Sequence, residues 1–211
     1  MMSRTVLALG LLVLAAVWLG PLPDLARGSF AAHMAMHMGI VAIAAPLLAI
    51  GISGSAWDPV RRVPALFPPI PLSLVELAVV WVWHAPALHH LARQGVAGLI
   101  AEQSAFLLSG LLVWLSAFGG EPARARSRAG MGVVALLLTS MHMTLLGALL
   151  ALTPRALYVH EELCAGITAL DDQHLGGAIM LLVGGISYLV GGLGLTAGMI
   201  RGKRARGEAA A

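Results

Sequence analysis

Residues 33–51 read HMAMHMGIVAIAAPLLAIG. From Met34 onward the stretch is almost unbroken apolar sequence, close to the roughly 20 residues that an α-helix needs to cross the hydrocarbon of a bilayer. His33 and His37 sit in its first part, interleaved with Met34, Met36 and Met38. A segment of this kind buried in lipid must be helical, because only a helix satisfies its own backbone groups there. An imidazole carried into hydrocarbon finds no water and needs a partner. The fold follows from the first fact and the chemistry from the second.

The whole chain repeats the pattern. It has 211 residues, 59% hydrophobic and 11% charged, with mean hydropathy +0.88. A soluble domain carries about 25% charged residues, so this chain cannot cover a water-facing surface. Six spans are expected, at roughly 4–20, 30–52, 72–90, 95–118, 130–152 and 174–200. They predict an all-α, polytopic membrane helix bundle forming a single domain over 1–211. Arg4 followed by apolar Val6–Leu19 also has the form of a signal peptide, but a small-residue cleavage site is not evident after Gly20. Span one is therefore read as retained. The net charge of +3 is no sign of nucleic-acid binding, because the basic residues fall in short loops and the C-terminal tail. A single cysteine, Cys164, excludes an intramolecular disulfide and any CxxC metal-thiolate motif.

With both termini in the cytoplasm, ten of the thirteen Lys and Arg residues fall on the inner side, and Arg27, Arg93 and Arg155 fall outside. That orientation obeys the positive-inside bias. It also gathers the histidines. His33 and His37 lie in the outer part of span two, His84 near the outer end of span three, and His174 at the outer start of span six. His89, His90 and His160 are in or beside outer loops, where His89 and His90 read as interfacial side chains. His142 is about ten residues inside span five, ~15 Å deep at 1.5 Å per residue. No histidine falls near an inner end.

His33 and His37, four apart, share one helix face. Met-His-Met recurs at 141–143 around His142. Thioether with imidazole suits copper, above all Cu(I), whereas zinc more often takes Cys, His and carboxylate. Against this stands the ordinary use of methionine as a gap-filler, and residues flanking a histidine point away from it. In WVWHAPALHH, Pro86 breaks the helix just after His84. Glu102 lies one and a half to two turns inside span four, where a carboxylate must pair, protonate or bind a cation. Glu76, near the inner end of span three, is expected to pair with an inner-loop arginine. In span six, Asp172 and Gln173 form a polar head, Met180 falls on the same stripe as Gln173, and Gly177, Gly184, Gly191 and Gly198 recur every seven residues, as in close helix packing. The candidate metal ligands are thus His33, His37, His84, His142, Met38, Met141, Met180, Glu102 and Asp172. Glu161–Glu162 and Asp171–Asp172 read as solvated loop charges and Cys164 as a structural thiol, so an enzyme is not expected.

The stretches HMAMHMGIVAIAAPLLAIG, WVWHAPAL, EQSAFLLSGLLVW, SMHMTLLGALLALTPRALY and DDQHLGGAIM occur in the order and span placement of the CtaG-like membrane proteins implicated in assembly of cytochrome c oxidase, which the chain resembles over most of 30–195. It departs from the family pattern at Gln103, where a histidine is expected after Glu102, and at Leu181, where Trp often follows Ile-Met. The resemblance implies a role in oxidase maturation in a bacterial plasma membrane, holding or delivering copper at a site facing the periplasmic or outer side. Its partners would be oxidase subunits or other copper-handling assembly proteins. Two other functions fit the residues less well. A haem held by two histidines would not need the methionines and carboxylates. A copper permease would need polar groups along the inner halves of the spans, which are nearly bare apart from Glu76.

Overall fold

The computed structural model describes residues 4–121, 125–158 and 167–208, and among these every regular element is helical. His160, Glu161, Glu162 and Cys164 lie outside the described residues. In chain order the helices are α1 (Arg4–Leu19), α2 (Leu22–Gly28), α3 (Phe30–Ile52), α4 (Pro69–Trp83), α5 (Pro86–Arg93), α6 (Val96–Phe118), α7 (Ala125–Leu152) and α8 (Ala169–Arg201, continuing as helix to Glu208). Four of them, α3, α6, α7 and α8, are long and apolar enough to cross a membrane. The pairs α1–α2 and α4–α5, bent by 50° and 72°, bring the total to six if each is one span. The all-α membrane bundle expected from the sequence is the observed fold.

Of these four helices α3 is the most enclosed. Its apolar window is 72% buried, against 39%, 44% and 22% for α6, α7 and α8, which makes it the central helix. Its second half packs on α1 and α6, and its first half on α2 and the start of α8. A π turn at Gly39–Ala44 interrupts it. Pro46, two residues further on, has no N–H to offer the carbonyl of Ala42, four residues back. Ser187 of α8 donates to that carbonyl at 2.5 Å, so the group is satisfied across the helix pair instead of along the helix. α8 carries its own π turn at Met180–Gly184.

α8 begins at Ala169, five residues before the expected start, because Thr168 caps it by accepting from the Asp171 N–H. Asp172 and Gln173 are therefore helical. The glycine heptad divides. A Cβ on Gly177 would lie 2.5 Å from the Ala151 nitrogen, and one on Gly191 would meet the Trp114 ring at 2.5 Å, so both positions mark backbone approach that a side chain would block. Gly198 has open space and plays no part in packing.

The expected pairing of Glu76 with an inner-loop arginine is not what the structure shows. Glu76 is buried about two turns into α4, facing α7 and α8 rather than the loop. It accepts from the Thr139 hydroxyl at 3.2 Å and the Tyr188 hydroxyl at 2.9 Å. At that end of the bundle Asp58 organises the loops, accepting from the backbone N–H groups of Gly54, Val60 and Gly120. Gly54 and Gly120, at φ +72° and +96°, take conformations that favour glycine.

Candidate metal site

At the other end of the bundle, the break between α4 and α5 builds the site. Pro86 forces Ala85 into an extended conformation and ends α4 at Trp83, leaving His84 as the capping residue. The His84 carbonyl, which a continuous helix would have used, accepts from the Tyr158 hydroxyl at 2.6 Å. The His84 Nδ1–H donates to the Val80 carbonyl at 2.7 Å. That hydrogen bond fixes the proton on Nδ1 and leaves Nε2 with its lone pair, the usual preparation of a histidine for metal.

α5 then folds back across the bundle. His89 and Arg93, one turn apart on its inner face, are carried inward, while His90 stays exposed. From α3 come His33 and His37, from α6 Glu102, Gln103 and Phe106. The ring centroids of His33 and His37 are 6.3 Å apart, those of His37 and His84 5.2 Å, of His33 and His84 5.7 Å, and of His33 and His89 4.8 Å. Phe106 packs on His37 at 4.0 Å. Tyr158 stacks on Phe30 at 4.2 Å and sits 4.5 Å from His89, closing the cluster from the loop side. Burial pushes the Tyr158 phenol above its ordinary range, so it stays a neutral donor.

Four histidines and one carboxylate thus share one water-poor chamber. His33, His89 and Glu102 offer ligand atoms all within 4.8 Å of one another. The carboxylate is already engaged. Arg93 donates from Nη1 to Glu102 Oε2 at 2.8 Å and from Nη2 to His33 Nδ1. Gln103 donates to the same Glu102 oxygen at 3.1 Å. Four imidazole nitrogens in the chamber, His33 Nε2, both of His37 and His84 Nε2, are buried with no hydrogen-bond partner among the described residues. Buried polar atoms are normally satisfied, so a group of this size calls for an occupant.

His142 is buried on α7 but makes no ring contact with the cluster. The Met38 sulfur lies 3.6 Å from where Gly184 would carry a Cβ, against α8. Met180 is buried at the start of the α8 π turn. Met141 is 67% exposed on the outer face of α7. Asp172 accepts from the Ser29 hydroxyl at 2.7 Å and from the Phe30 and Ala31 N–H groups at 2.5 and 3.3 Å, so it caps α3 from the side. Gln173 ties the α7–α8 connection, accepting from the Leu157 N–H and donating to the carbonyls of Leu150 and Arg155.

His89 and Arg93 were not expected in the site. His89, read as interfacial, is buried at Nδ1 3.9 Å from Glu102 Oε1. The signal was present in the sequence: after the Pro86 break, a polar pair at i and i+4 defines one face of a short helix whose other face carries Leu91 and His90.

A family model for the cytochrome c oxidase caa3 assembly factor (Caa3_CtaG) matches residues 2–202 of the chain. No curated protein and no solved structure matches it.

Proposed function

The chain belongs to the cytochrome c oxidase caa3 assembly factor family, and from that membership we propose that it is a non-catalytic membrane protein that holds copper for insertion into the oxidase. The observation that carries this reading is the group of buried imidazole nitrogens without partners on His33, His37 and His84. Imidazole is a good ligand for copper, and a water-poor chamber favours an ion that shares its charge with soft or nitrogen ligands. His84 presents Nε2 as a lone pair, because its other nitrogen is spent on Val80. Phe106 and Tyr158 keep water away. Met141 is exposed and the Met38 sulfur lies against α8, so the preference for copper over zinc is argued from the client oxidase and from charge rather than from sulfur.

The charge bias of the loops supports a chamber near the outer surface of a bacterial plasma membrane, with both termini inside. Copper would then arrive from the outer aqueous side. A groove of about 480 Å³ beside His84, walled by Pro86, Leu149, Leu157 and Tyr158, gives a sideways route toward an oxidase subunit in the same bilayer.

The test is metal content. Purified protein loaded with Cu(I) under reducing conditions should retain copper. The His37→Ala/His84→Ala double variant should retain far less, and His142→Ala should match the wild type. Equal copper in the wild type and the double variant overturns the assignment.

A further inference from the structure

Arg93 engages two of the groups that could hold a metal ion, meeting His33 through the ring nitrogen opposite its unpartnered Nε2. Its guanidinium bridges His33 Nδ1 and Glu102 Oε2, two acceptor atoms 3.6 Å apart. Both belong to the groups whose ligand atoms lie within 4.8 Å of one another. An arginine is always protonated and only donates, so His33 Nδ1 must be accepting from it. While Arg93 is in place, neither atom is free for an ion.

We infer that Arg93 is a resident counter-cation, and that the site loads by exchange: an incoming metal ion displaces the guanidinium from between His33 and Glu102. This deepens the function proposed above and rests on it. The exchange has a consequence for selectivity. Glu102 is the carboxylate of the chamber, and Arg93 balances it. Replacing a guanidinium by a monovalent ion leaves the buried net charge unchanged. A divalent ion in its place adds one uncompensated positive charge, and a divalent ion added beside it adds two. In a low-dielectric chamber such charges are costly. Once the guanidinium has left, Glu102 alone balances the ion, so the loaded chamber favours Cu(I), and its redox-inert analogue Ag(I), over Zn(II) on charge, although imidazoles by themselves accept zinc well; displacing Arg93 costs the same for either ion.

The geometry permits the movement. Arg93 is the last residue of α5, next to Gln94 and Gly95, and its Nε has no partner among the described residues. Gln94 and Gly95, which follow it, are exposed, so the aqueous edge lies one residue from Arg93. Gln103 remains, donating to Glu102 Oε2.

The experiment is a competition on detergent-purified full-length protein. Ag(I) and Zn(II) are titrated into the wild type, Arg93→Gln and Arg93→Lys. The wild type and Arg93→Lys should prefer Ag(I). Arg93→Gln has no guanidinium to displace and should bind both ions at least tenfold more tightly than the wild type, with the Ag(I)/Zn(II) ratio unchanged. Side-chain nitrogen NMR of the wild type supplies a readout that needs no variant fold: the Arg93 guanidinium signal, assigned by its loss in Arg93→Lys, should move on Ag(I) loading to the position of a solvated arginine. If Ag(I) binds the wild type while that signal stays where it was, or if Arg93→Gln shifts the ratio toward Zn(II), the guanidinium remains beside the ion, the exchange is wrong and the histidine site survives. If neither metal binds the wild type, the histidine site is wrong as well.

Discussion

Asp172 and Glu102 are both buried carboxylates near the same end of the bundle, and their partners give them different work. Asp172 has two backbone N–H groups and a serine hydroxyl to accept from, all at the start of α3. This is a helix cap supplied by a neighbouring helix, favoured further by the positive end of the α3 dipole. Asp172→Ala should cost roughly 1.5–3 kcal/mol, the range for hydrogen bonds to a charged group, and Asp172→Asn less. Thermal unfolding in detergent measures both, and an unchanged midpoint for the alanine variant would contradict the capping role. Glu102 instead faces cationic and imidazole groups. The sequence showed that Glu102 had to find a partner, and that His37 and His84 lay at a similar depth. It could not show which cation Glu102 would find. Arg93 lies in what reads as a loop; its i,i+4 pairing with His89 marks a shared face of a short helix, but not that this face turns into the bundle.

That information sits at the level of the element. Pro86 was legible as a break, and the break is there, but its angle of 72° depends on how α5 packs against α6. A Cβ on Gly98 would lie 2.7 Å from the Ala92 carbonyl oxygen, so α5 lies hard against the start of α6. Tertiary packing of this kind leaves no periodic trace in one sequence. The π turns were missed for a related reason: their signals, Pro46 in α3 and a glycine-rich run in α8, are also compatible with a plain helix. Two predictions belong here. Pro86→Ala returns an N–H to the chain, lets α4 extend, and should reduce retained copper severalfold while helical content by circular dichroism stays unchanged; full copper retention would mean the break does not shape the site. Ser187→Ala strips the Ala42 carbonyl of its donor and should cost about 1–3 kcal/mol of stability. Unfolding of that variant at the wild-type midpoint would show that the carbonyl finds another donor.

For the whole molecule, composition was enough to establish a helical membrane bundle, and the spacing of apolar runs located the four long helices and the two bent pairs to within a few residues. The gathering of histidines at one end was also legible, because alternate spans reverse direction and polar residues at alternate ends therefore share a level. What sequence could not resolve was which of them meet. His142 is on the right helix, but it makes no ring contact with the cluster, and Met141 turns outward. The orientation of the bundle is a prediction of the charge bias. On a Cys164→Ser background, a cysteine at exposed Gln94 should react with a membrane-impermeant maleimide on intact cells, and one at exposed Glu121 should react only after lysis. The reverse pattern would place the chamber on the cytoplasmic side. The central claim, that imidazoles from α3 and the end of α4 hold copper together, is tested most directly by X-ray absorption at the copper edge of Cu(I)-loaded protein. Histidine ligation gives a nearest shell of nitrogen with the outer scattering of imidazole rings, lost in His37→Ala/His84→Ala. A shell dominated by sulfur, or one unchanged by that double substitution, would contradict it.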